Sequence, residues 1–173
     1  MANLEQILAT KYKNNFSTLK NTSHDKENNI YMCQSKMQVT DFDHLTRELF
    51  PTKQPSSPDA LWSDEDSKHI YEVEFKNQDK SNVKNKNIQK KAKDGKNTID
   101  KICSESMIPL DNYKLIYCVA YKSNPNKEEY RRRYDESSIH FGLKSYEGIY
   151  FNKVITNNID FFTEEFLKKY PNE

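Results

Sequence analysis

Residues 57–78 read SPDALWSDEDSKHIYEVEFKNQ, and the fold turns on how this stretch is read. Pro58-Asp59 opens the run DALW, and HIYEVEFK follows after the turn-forming SDEDSK, so the pattern predicts two strands joined as a hairpin. Side chains alternate along a strand, which puts Tyr71, Val73 and Phe75 on one face and Ile70, Glu72, Glu74 and Lys76 on the other. A half-exposed strand with its polar face in water accounts for those charges. Acid-x-Lys triplets also occur at Asp66-Ser67-Lys68 and Asp94-Gly95-Lys96, as expected in a lysine-rich chain. Context sets Glu74-Phe75-Lys76 apart: it ends an apolar strand, follows a hairpin partner that begins at Pro58-Asp59, and precedes a lysine-rich helical segment.

On the N-terminal side, Leu4, Ile7, Leu8 and Tyr12 recur at helical spacing and predict a helix over roughly Leu4 to Phe16. NTSHDKENN reads as a polar loop and IYMCQSKMQV as a strand. TDFDHLTRELF reads as a short helix, with Thr40 and Asp43 in capping-box positions and Phe42, Leu45 and Leu49 on one face. PTKQPSSP, with three Pro and two Ser, is a loop that delivers the chain to Asp59.

On the C-terminal side, Ile88, Ala92, Gly95, Ile99 and Ile102 share one helical face between about Ser81 and Cys103, while Lys86, Lys90, Lys93, Asn97 and Lys101 share the opposite one. YKLIYCVAY, residues 113–121, is a short, nearly continuous apolar run that suits a strand buried on both faces. NKEEYRRRYDESS is charged and reads as helix or loop, GIYFNKVI as a strand and IDFFTEEFLKKY as a closing helix. The predicted class is α/β in a single domain of 173 residues.

Composition narrows the function. With 35% hydrophobic and 31% charged residues, but eleven Tyr and nine Phe, the chain suits a folded domain with a wet surface. The formal net charge is only +1, yet nine lysines lie between Lys76 and Lys101 against Asp79, Asp94 and Asp100, next to the acid-rich 59–74 segment. An acidic focus beside a basic segment is what a metal-using site on a polyanion needs. Three Gly exclude a GxxxxGK loop and GxGxxG; GxSxG and zinc-protease histidine spacings are absent. Cys33, Cys103 and Cys118 show no CxxC spacing, and no signal peptide or apolar stretch of about 20 residues is present, so a soluble, intracellular protein with no membrane partner is expected.

Adjacent strands can bring Asp59 and Glu74 side by side. Two carboxylates held together repel unless a proton or a cation joins them, and hard oxygen ligands without a His or Cys set favour Mg²⁺ or Mn²⁺. Lys76, two residues beyond Glu74, lies on the same face.

Pro58-Asp59, fourteen intervening residues and Glu74-Phe75-Lys76, with Gln78 two places on, resemble the motif of the PD-(D/E)xK nuclease superfamily. That superfamily includes restriction endonucleases, Holliday-junction resolvases, repair nucleases, some toxin domains and viral cap-snatching endonucleases. The resemblance covers roughly residues 4–122 and implies a restriction endonuclease-like αβββαβ core, a mixed central sheet flanked by helices, with residues 123–173 as decoration. It implies that Asp59, Glu74 and the Phe75 carbonyl bind metal, that Lys76 handles the attacking water or the transition-state charge, and that Gln78 touches substrate or a metal-bound water. The family commonly adds an acid from an early helix; Glu48 is favoured for that role over Glu5, and an ordinary solvated residue is an equal reading for either.

The expected activity is therefore metal-dependent phosphodiester hydrolysis, on DNA before RNA. Lys86, Lys90 and Lys93, with Arg131 and Arg132 of YRRRY, are candidates for phosphate contact, although each set also reads as a solvated or self-neutralised surface. The alternatives are an RNA endonuclease of toxin-like or cap-snatching type and an inactive nucleic-acid-binding or regulatory domain of the same fold. A homodimer or a protein inhibitor is a further expected partner.

Overall fold

The computed structural model describes residues 2–124 and 138–169. Six strands form one mixed sheet in the order β1 (Phe16–Thr18), β4 (Gln38–Asp41), β5 (Ala60–Asp64), β6 (His69–Lys76), β7 (Lys114–Tyr121) and β8 (Lys153–Asn158). The first three pairings are antiparallel, whereas β6–β7 and β7–β8 are parallel. A parallel return needs a crossover, and α4 (Asn85–Glu105) supplies it between β6 and β7. The remaining helices are α1 (Leu4–Thr10), α2 (Leu19–Thr22) and α3 (Phe42–Leu49). A separate two-stranded sheet is made by β2 (His24–Asp25) and β3 (Ile30–Tyr31).

Alternation along the strands separates two cores. Leu61, Ile70, Leu115, Tyr117 and Val119 pack with α1, α3 and the Ile88, Ala92, Ile99 and Ile102 stripe of α4. Trp62, Tyr71, Val73, Phe75, Ile116 and Cys118 pack on the other face with Leu19 of α2 and with Phe162, Phe166 and Leu167 of the C-terminal helical segment. Each fully buried Ile or Leu contributes roughly 1.5–3 kcal/mol. The central strands are therefore covered on both sides. The three cysteines are free and buried, and no helix among the described residues is long and apolar enough to cross a membrane.

Several predicted boundaries move, each for a local reason. The first helix stops at Thr10 instead of Phe16, because residues 13–15 tighten into a 3₁₀ turn and Phe16 pairs with Thr40 in the sheet. The predicted polar loop is a short helix followed by a hairpin: the Asp25 carboxylate accepts from the backbone N–H groups of Glu27 and Asn28, and Asn29 takes a left-handed φ of 52°. IYMCQSKMQV is not one strand; only its ends enter β3 and β4. The N-cap of α3 is Asp41, whose side chain accepts from His44 N–H at 2.9 Å, and not the Thr40 and Asp43 pair. A 3₁₀ turn at Lys80–Asn82 delays α4 to Asn85, and β8 begins at Lys153 after a turn in which Gly148 has φ 83°.

Candidate active site

Asp59 lies one residue before β5, where its N–H donates to Val73 O at 2.9 Å and its Oδ2 accepts from Phe75 N–H at 2.7 Å. Ala60 pairs with Val73, so the antiparallel register sets Asp59 opposite Glu74. The strand ladder itself thus brings the two acids together. Glu74 is fully buried on the α4 side of β6, and its carboxylate is closed off by two ammonium groups: Lys76 Nζ stands 2.7 Å from Oε1, and Lys91 Nζ stands 2.8 and 2.9 Å from Oε1 and Oε2. Lys76 and Lys91 are 24% and 26% exposed against 0% for Glu74, so the lysines form the solvent side of the cluster.

Electrostatics follow from this packing. Burial and the neighbouring Glu74 charge push the Asp59 carboxyl up to about 8, against the opposing pull of Lys91, the Phe75 N–H and Lys76. For Lys91, burial acts against the charged form, but Glu74, Asp59 and Asp43 outweigh it and hold its pKa above the usual lysine value. An acid held this high is short of positive charge, and a hard divalent cation at Asp59 and Glu74 would supply it. Mg²⁺ is commonly held by one or two carboxylates with water and phosphate oxygens completing its shell, so this donor pair fits Mg²⁺ or Mn²⁺. Among the described residues no three His, Cys, Asp or Glu side chains are grouped to hold a metal ion by themselves.

A polar cleft of 270 Å³ opens at this point, lined by Asp59, Phe75, Lys76 and Gln78 on the sheet side and by His24, Asp25 and Asn28 on the hairpin side. Asp25 is held down at about 2 by the Asn77 and Asn28 side chains, which fixes the hairpin to the end of β6. His24 stacks on Tyr31 with ring centroids 4.1 Å apart.

The structure therefore unites Asp59, Glu74, Phe75, Lys76 and Gln78. Glu48 is exposed, its Oε2 accepting from Asn15 Nδ2 at 2.9 Å, and neither it nor Glu5 joins Asp59 and Glu74 in a three-acid group. The helical acid that feels the site is Asp43, which interacts electrostatically with Lys91, hydrogen-bonds to Ser57 and Gln54, and pairs with Arg47. Lys86, Lys90 and Lys93 are exposed on α4, Lys90 paired with Asp94. Arg131 and Arg132 lie outside the described residues.

Sequence reasoning missed three contributors. Lys91 falls at three residues from Ile88 and four from Gly95, inside the apolar stripe, and that misplaced charge is a readable signal. The hairpin is signalled only by Asp25 and the adjacent Asn28 and Asn29. Glu72 falls on a face read as polar, but that face is buried beneath α4: Glu72 is 1% exposed, and neither carboxyl oxygen has a hydrogen-bond partner among the described residues. Gly95 makes room for it, since a Cβ there would stand 2.3 Å from Glu72 Oε2. No protein-family model, curated protein or solved structure matches the chain.

Proposed function

We propose that the protein is a divalent-metal-dependent nuclease that hydrolyses phosphodiester bonds. The observation that carries this reading is the placement of Asp59 opposite the buried Glu74, with Lys76 on the Glu74 carboxylate and with Asp59 and Lys76 lining one polar cleft. The order of α1, the β4–β5–β6 meander, the α4 crossover and parallel β7 supports a restriction endonuclease-like core, although α3 interrupts the meander.

In this reading Asp59 and Glu74 hold the ion, with the Phe75 carbonyl as a further oxygen donor. An ion held there would supply a hydroxide-like nucleophile near neutral pH and would neutralise charge on the reacting phosphate. Phe75 N–H fixes the Asp59 carboxyl, so its position does not depend on substrate. Lys76 orients the attacking water and stabilises charge that develops on the phosphate oxygens. Gln78, exposed at the cleft, contacts substrate. Lys86, Lys90 and Lys93 give a salt-dependent grip on the backbone. DNA is the expected polymer, on the breadth of the family whose motif the chain resembles.

The test is incubation of purified protein with plasmid, single-stranded DNA and structured RNA, each with Mg²⁺, Mn²⁺ or EDTA. Cutting that requires metal, and plasmid cut before RNA, is expected. Folded protein that cuts none of the three would remove the proposal.

A further inference from the structure

Lys91 does something that neither the cleft nor the motif requires. Its ammonium engages both oxygens of Glu74, at 2.8 and 2.9 Å, although Lys76 already stands 2.7 Å from one of them. It also lies within the electrostatic reach of Asp59 and Asp43. Glu74 and Asp59 are the two acids on which a divalent ion would be held, and Asp43 is a third acid, on α3. A carboxylate that gives both oxygens to an ammonium has few lone pairs left for a cation. An ion entering at Glu74 must therefore contend with Lys91 before anything else.

The position of Lys91 on α4 is consistent with that task. It follows Ile88 by three residues and precedes Gly95 by four, so the helix stripe that packs on the sheet directs it inward instead of towards solvent. The flanking Lys90 and Lys93 are exposed, while Lys91 is only 26% exposed. A half-buried lysine on a fully buried glutamate needs a reason, because the glutamate charge has been taken out of water. A structural pair would suffice with Lys76 alone.

We propose that Lys91 is a positioning residue that acts as the resident counter-ion of the metal-free site: it holds Glu74 in place, yields that carboxylate to an incoming divalent cation, and turns its own charge towards Asp43 or a substrate phosphate. This deepens the nuclease reading and rests on it. The exchange is cation for cation at one carboxylate, with no bond made or broken. The four-carbon stem is flexible enough to make the movement, and Asp43, which Ser57, Gln54 and Arg47 hold in place, is an acidic partner within its electrostatic reach.

Two measurements on the full chain test it. Mn²⁺ is titrated calorimetrically into wild type, Lys91→Met and Asp59→Asn, and the labelling of Lys91 by an amine-acylating reagent is followed by mass spectrometry with and without Ca²⁺. Removal of a competing ammonium at contact distance should tighten Mn²⁺ binding by about tenfold or more, and Ca²⁺ should raise the labelling of wild-type Lys91 several-fold. Lys91→Met that binds Mn²⁺ no more tightly than wild type, or labelling that Ca²⁺ leaves unchanged, overturns the assignment. The labelling arm uses unaltered protein and does not depend on the variant folding. Wild type that binds Mn²⁺ through Asp59 while Lys91→Met shows no gain removes only the role of Lys91; absence of binding in wild type and Lys91→Met alike removes the metal reading itself.

Discussion

Replacing Glu72 with Gln measures how strongly the fold is strained by the acid between β6 and α4. Glu72 is 1% exposed and both of its oxygens lack a hydrogen-bond partner among the described residues. Burial, opposed by Lys96 and assisted by Asp100, raises its carboxyl well above the ordinary value of 4.5. The folded protein thus keeps a proton that the unfolded chain releases above that value. The stability associated with Glu72 is complete below the unfolded pKa and is lost as pH rises towards the folded one. While the folded acid remains protonated, linkage sets the loss at about 1.4 kcal/mol per pH unit. Each such pH unit is equivalent to roughly 3–6 °C in melting temperature for a domain of this size. Gln has nearly the same shape and no proton to lose. Urea unfolding of both proteins at pH 5, 6 and 7 should show Glu72→Gln gaining on wild type with each step, and taking the difference cancels the contribution of Asp59. A difference that does not grow with pH refutes the account of a neutral buried acid.

Asp59→Asn should raise stability at pH 7 by about 1–3 kcal/mol in urea unfolding, because Asp59 is pushed up from 3.8 to about 8 and its contribution is likewise lost as pH rises through that window. Mg²⁺ or Mn²⁺ should raise the melting temperature of wild type and leave that of Asp59→Asn unchanged. Gly95→Ala should destabilise by about 1–3 kcal/mol, since the new Cβ would stand 2.3 Å from Glu72 Oε2 and 2.8 Å from Pro58 Cδ; the loss should shrink in a Glu72→Ala background. Alanine at Lys86, Lys90 and Lys93 together should weaken DNA binding and reduce the slope of log K against log salt by about 2–3, as read from fluorescence anisotropy across a salt series.

The strands that carry the site are legible in the sequence because their alternation is strong. HIYEVEFK and DALW pair as a hairpin, the apolar run before Tyr121 forms a strand covered on both faces, and the Ile88–Ile102 stripe marks the inner face of α4. The register that sets Asp59 opposite Glu74 follows from that hairpin alone. Alternation assigns residues to faces but does not say what covers each face. Glu72 therefore falls on a face read as polar when it lies, like Glu74, beneath α4, where Gly95 leaves space for one and Lys91 supplies charge to the other. The β2–β3 hairpin was illegible for another reason. It rests on side-chain-to-backbone bonds from Asp25 and on one left-handed asparagine, and it contains too few apolar residues to produce a period. Glu48 and Glu5 were the helical acids singled out by the sequence; the packing of α3, which turns Asp43 towards Ser57 and Lys91, is not legible from spacing.

If Asp59, Glu74 and Lys76 act together on a scissile phosphate, as proposed, single-turnover cleavage of DNA by Lys76→Ala and Asp59→Ala, beside DNA binding by the same proteins, will separate chemistry from binding. Each variant should lose at least about 100-fold in cleavage rate, the scale of removing one charge-stabilising group, while DNA affinity stays within about threefold of wild type and the fold is kept. Variants that cut at the wild-type rate, or that lose binding and cutting in equal measure, would contradict that joint action.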